Sequence, residues 1–235
     1  MYGVNKIPLD LQRESLSLSV NKNADRMEYF RECLGSKTQK LILSKQDEIL
    51  ICPVEPLNLP RQVATFLMVE FLREMMMQPD SKSVIYLTFP LEIGVFVGKK
   101  DKYEILDIFS LARAKYSLYG EPRNGVICKY WQSPVFLEEP QTNPLIEGII
   151  QLNLINSSKN WVQVNKVLFN GNGMKIYYNN KNTSMKATMK ILEEEAAEVE
   201  FNNSPLHRDM KKSPELFSTR RLSASARKAV MLEGI

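Results

Sequence analysis

At 235 residues, with 44% hydrophobic and 25% charged residues, the chain has the length and composition of one large or two modest globular domains, which excludes a disordered or fibrous polymer. The net charge of +4 is uneven: residues 204–235 carry seven basic side chains against three acidic ones, leaving residues 1–203 neutral. A neutral body argues against nucleic acid as the main partner, and the tail reads as a solvated terminal segment. Cys33, Cys52 and Cys128 form no C-x-x-C pair, which suits buried free thiols in a reducing compartment. With no apolar run of signal-peptide or membrane-span type, the expected setting is soluble and cytoplasmic.

Along the chain, Leu16, Leu18 and Val20 alternate with serines, as in a strand with one wet face. Residues 21–25 read as a turn, and residues 29–34 show no clear period. Residues 41–43 and 49–51 read as short buried strands. Pro53, Pro56 and Pro60 forbid helix and predict an extended segment along a sheet edge. Residues 63–77 fit helical faces but also the period-2 set Val63, Thr65, Leu67, Val69 and Phe71; strand is the reading adopted. Residues 84–97 alternate on both sides of Pro90, as one bent strand or two strands that meet there. A polar hairpin loop at 98–102, a strand at 103–109 and one helical turn at 110–114 follow.

The stretch 115–131, KYSLYGEPRNGVICKYW, is the densest turn signal, because residues 120–125 combine Gly, Pro and Asn between strand-forming flanks. A strand-borne turn is a rigid mount, so Arg123 and Asn124 are the candidate binding surface, supported by Lys115, Tyr119 and Trp131. Arginine there suits a carboxylate or phosphate bidentately. In the opposing reading, Arg123 pairs with Glu121 or Glu92 and only fixes the turn. Glu92 interrupts an apolar stretch, where a carboxylate must reach water or find a partner. The wet face of a strand is the favoured reading; the functional alternative is that it faces Lys115, Arg123 or Lys129.

Prolines 134, 140 and 144 mark a joint. Beyond it, strands are predicted at 146–155, 161–169, 174–178 and 185–192, with a hairpin at Asn170-Gly171-Asn172-Gly173. Residues 193–198 suit a short helix or a charged strand edge. The pattern predicts an all-β chain of two β-sandwich-like (immunoglobulin-like) halves, with short helical turns and a basic tail. The expected division is 1–142, 143–203 and 204–235.

The catalytic vocabulary is thin. His207 is the sole histidine, no phosphate-binding glycine loop occurs, and no residue set has metal-ligand spacing, so neither metal nor cofactor is expected. The residues point to a ligand-sensing or protein-interaction module, taking a protein partner or a small anionic ligand, with homo-oligomerisation open. The alternative is an enzyme using carboxylates and Lys/Arg on a sugar- or phosphate-bearing substrate.

The blocks ILICPVEPLNLP, IYLTFPLEIGVFV, LDIFSLARAKYSLYGEPRNGVICKYW, NWVQVNKVLF, MKIYY and VMLEGI resemble an archaeal family catalogued as domain of unknown function 432. That resemblance implies no established activity. It does imply relatives fused to small-conductance mechanosensitive-channel domains, and so a link to membranes that runs through a partner.

Overall fold

The computed structural model describes residues 1–13, 15–60, 63–99, 102–216 and 229–232. The first strands are β1 (Gly3–Lys6), β2 (Leu9–Arg13), β3 (Leu16–Asn23), β4 (Arg26–Cys33), β5 (Ser36–Leu43) and β6 (Glu48–Val54). Then come β7 (Phe66–Met77), β8 (Ser81–Pro90), β9 (Glu92–Lys99), β10 (Lys102–Phe109), β11 (Lys115–Tyr119) and β12 (Val126–Ser133). The remainder are β13 (Glu147–Asn156), β14 (Val162–Asn170), β15 (Tyr177–Tyr178), β16 (Thr183–Glu193), β17 (Ala196–Asn202), β18 (Lys211–Lys212) and β19 (Ala229–Met231). The chain is all-β, and one 3₁₀ turn at Gly171–Gly173 is the only helical element among the described residues.

Contacts divide the chain into two compact units that interleave in sequence: Met1–Pro53 with Ile93–Leu111, and Val54–Glu92 with Ala112–Ile235. This division does not follow the expected joint near residue 142. The proline-bearing stretch 134–146 stays within the second unit, where Phe136 bridges Tyr86 and the Leu91 amide donates to Ile146 O at 2.9 Å.

The first unit holds the sheet β1-β6-β9-β10 and the antiparallel meander β2-β3-β4-β5. Leu16, Leu18 and Val20 turn their alternating face inward, as do Met27 and Tyr29 from β4. A buried guanidinium ties the two sheets together. Arg31 donates through Nε to Asp107 at 2.8 Å and through a terminal nitrogen to Thr38 at 2.6 Å, and stands 5.2 Å over the Phe109 ring. The Tyr29 hydroxyl donates to the same Asp107 oxygen at 2.8 Å.

In the second unit, the sheet β11-β12-β7-β14 packs on the sheet β18-β15-β16-β13-β8, which β17 and β19 extend. Leu67, Val69 and Phe71 of β7 enter the core with Phe169, Leu87, Phe89, Ile150, Leu152 and Met189. Each unit is thus a pair of layered sheets, as the sequence predicts. Within the stretch 63–77, Phe66–Met77 resolves to strand for the same reason: burying Leu67, Val69 and Phe71 on one face requires period 2.

Several local expectations are corrected. Leu41 and Leu43 are exposed, because β5 is the edge of its meander. Strand β6 lies between β1 and β9, not along an edge, and Pro53 is tolerated there because β6 has already passed its last β1 partner at Ile51. Residues 110–114 make bends, not a helical turn. Asn170 does not start a hairpin: it caps the 3₁₀ turn through its side chain, and β14 and β15 lie in different sheets. Residues 193–198 make no helix: they are the end of β16, a two-residue turn and the start of β17. The chain changes sheets at Leu91, so Pro90 ends one strand and β9 begins another. Within the basic tail, residues 217–228, with Arg220, Arg221, Arg227 and Lys228, and residues 233–235 lie outside the described residues.

Candidate functional site

Strands β11 and β12 form the hairpin that the turn chemistry predicts, in register from Lys115↔Tyr130 to Tyr119↔Val126. Gly120 takes φ +91°, a backbone that side-chain-bearing residues avoid. The amides of Asn124 and Gly125 both donate to Glu121 O, at 3.2 and 2.6 Å. A Cβ on Gly125 would meet that oxygen at 2.6 Å, so the loop closes only around glycine. Arg123 and Asn124 stand exposed at the tip, and Lys115 is exposed at the far end of β11. Among the described residues no hydrogen bond or ion pair holds the Arg123 side chain, so it is paired with neither Glu121 nor Glu92.

Because paired residues share a sheet face, Tyr116 and Lys129 point to the core side. There Lys129 Nζ meets Glu92 Oε1 at 2.7 Å, both side chains being almost wholly shielded from water. Glu92 also accepts the Asn58 amide at 2.9 Å and the Leu59 amide at 3.2 Å. The favoured wet-face reading of Glu92 is therefore corrected; its partner is one of the three cations named from sequence. Burial pushes the Glu92 carboxyl above its ordinary value, while Lys129 and the two amides pull it down. Trp131 lies on this side too, donating Nε1 to Thr88 Oγ1 at 3.0 Å.

The opposite face carries a groove of about 810 Å³. Its cause is a break in the β7–β14 ladder. Pairing runs from Val162↔Met77 to Val164↔Met75 and resumes at Lys166↔Glu70, so residues 71–74 face the single Asn165. An irregularity of this kind bends the strand and re-aims its side chains. Glu70, Glu74, Tyr119, Glu121, Gln132 and Lys166 line the resulting hollow.

A family model described as "Protein of unknown function (DUF432)" matches residues 1–233. The chain belongs to that family. No curated protein and no solved structure matches it.

In this DUF432 chain the six residues named from sequence do not form one cluster. Arg123 and Asn124 hold the tip, Tyr119 is buried in the wall of the groove, and Lys115 sits beside Tyr130. Trp131 and Glu92 lie on the core side of the sheet and serve packing and pairing. Sequence reasoning missed Glu70, Glu74 and Lys166. The signal for the two carboxylates was present: if Leu67, Val69 and Phe71 point inward, residues 68, 70, 72 and 74 must point away.

Proposed function

We propose that this chain is a protein-interaction module whose β11–β12 hairpin receives an acidic, partly apolar segment of a protein partner. The observation that carries the reading is the unpaired, exposed Arg123 beside an uncovered apolar pair. Leu118 and Ile127 oppose each other across the hairpin and remain 42% and 54% exposed. Tyr116, on the same face as this pair, is also exposed, and Arg113, Lys115 and Arg123 are exposed cations of the same segment against the exposed Glu121. Covering the two aliphatic side chains is worth roughly 1 kcal/mol each, since about half of each is already buried. A desolvated arginine–carboxylate bond adds specificity.

Strand β11 is the edge of its sheet, and a partner strand can extend that edge through its backbone, with alternate side chains reading the patch. Such an open surface suits a peptide better than a small anion, which needs enclosure. Glu92, the carboxylate an enzymatic reading would use, is sealed behind Lys129 and accepts bonds on both oxygens. Three buried free thiols accord with a cytoplasmic setting. The channel-fused relatives that the resemblance implies favour a membrane protein's soluble segment as the partner.

Selection of a random displayed peptide library on the full chain tests this. Enrichment of acidic sequences with β-branched or aromatic neighbours, lost on Ile127→Asp with the fold intact, is expected. Absence of any enriched class, or enrichment that Ile127→Asp leaves unchanged, refutes the reading.

A further inference from the structure

We propose that the groove beside the β7–β14 irregularity is a separate binding site for a small multivalent organic amine of the linear polyamine type. Three features carry this without Arg123 or Asn124.

The first is charge. Glu70, Glu74 and Glu121 line the groove against one cation, Lys166, so an anion is repelled and a polycation attracted. The second is positioning. The Tyr130 hydroxyl bonds to Glu70, and Gln163 Nε2 donates to Glu74, so two of the three carboxylates are already held by neighbours. Oriented carboxylates bind ammonium groups without first ordering themselves. The third is an ammonium already present. Lys166 Nζ stands 5.6 Å over the Tyr119 ring, so the wall of this groove accepts an alkylammonium on an aromatic face. Among the described residues that ammonium makes no ion pair, so a ligand amine competes for the ring with the Lys166 side chain alone.

The shape agrees with the chemistry. Met68 and Leu72 lie on the same face of β7 as Glu70 and Glu74, so apolar surface alternates with carboxylate along the groove. A chain of methylenes punctuated by ammonium groups is the complement of that pattern. Gln132 and Asn165 add neutral acceptors for the remaining N–H groups.

The test is calorimetric titration of the full chain with spermidine at physiological ionic strength, with magnesium chloride matched for ionic strength as comparator. Saturable binding of spermidine is expected, with little response to magnesium. Glu70→Gln and Glu121→Gln are each expected to weaken it about tenfold, because each removes one charge-assisted hydrogen bond. Lys166→Met should tighten binding, by removing a repelling charge and uncovering the ring. Tyr119→Phe should leave it unchanged and Tyr119→Leu should weaken it, although neither alters net charge; thermal melting confirms that each variant is folded. Arg123→Lys should have no effect, which separates this site from the hairpin surface. Absence of saturable spermidine binding, magnesium binding of equal strength, or affinity indifferent to Glu70→Gln overturns the proposal.

Discussion

Lys129 reaches Glu92 across the core side of the β11-β12-β7-β14 sheet at 2.7 Å, and the carboxylate it neutralises also holds the backbone of residues 58 and 59. A buried pair of this kind gains little over an apolar pair, but losing one member is costly, because the other charge is stranded. Lys129→Met alone should therefore destabilise the chain by about 3–5 kcal/mol. Adding Glu92→Gln should recover part of that loss, since the stranded charge disappears while one amide keeps an acceptor. Urea melts of the two variants check the order. A double variant less stable than Lys129→Met would show that the pair is not electrostatically coupled.

A second network sits in the first unit, where Asp107 accepts from both Tyr29 and Arg31. Asp107→Asn should cost about 3 kcal/mol by leaving a buried guanidinium without its counter-charge. Tyr29→Phe should cost only about 1 kcal/mol, the worth of one hydrogen bond. Similar losses for both would mean that Asp107 acts through packing and not through charge.

Burial pushes the Cys128 thiol up to about 11, with a bond involving the Tyr119 backbone working the other way. Cys33 and Cys52 are buried as well. The folded chain should therefore react negligibly with a thiol-specific chromogen at neutral pH, while the denatured chain titrates all three cysteines. Rapid labelling of Cys128 in the folded state would contradict this.

Glu215 is partly buried, which works against its charge, yet bonds from Lys175 and Lys212 outweigh that and hold it below its ordinary value of 4.5. Since its folded value is depressed, the stabilisation is fully present above about pH 4.5 and is lost as pH falls through the lower folded value. Glu215→Gln should thus lower Tm at neutral pH, with the difference from wild type shrinking below pH 4.5. A gap that persists undiminished in acid would assign the effect to packing.

The hairpin was legible because Gly120, Pro122, Asn124 and Gly125 are local requirements of a turn, and local requirements are written in the residues themselves. The sheet assignment of β7 was legible from Leu67, Val69 and Phe71. Glu92 was misread because the chain changes sheets at Leu91, so alternation counted from β8 does not carry into β9. The groove was hidden for a related reason: residues 71–74 bulge because Asn165 is their sole counterpart, and register is a property of two strands, not of one. The interleaving of the two units likewise depends on which sheet each strand joins. In β4, the charges of Glu28, Arg31 and Glu32 obscured a strand whose Arg31 is buried by its ion pair.

The most direct test of the hairpin as an interaction surface is the affinity of an acidic, partly apolar peptide, taken from library selection, for wild type and for Arg123→Lys. Lysine keeps the charge but loses the planar fork, so binding should weaken about tenfold, or ~1.4 kcal/mol, while Tm stays within a degree or so. Unchanged affinity with a lowered Tm would contradict the account and make Arg123 a scaffold residue of the turn.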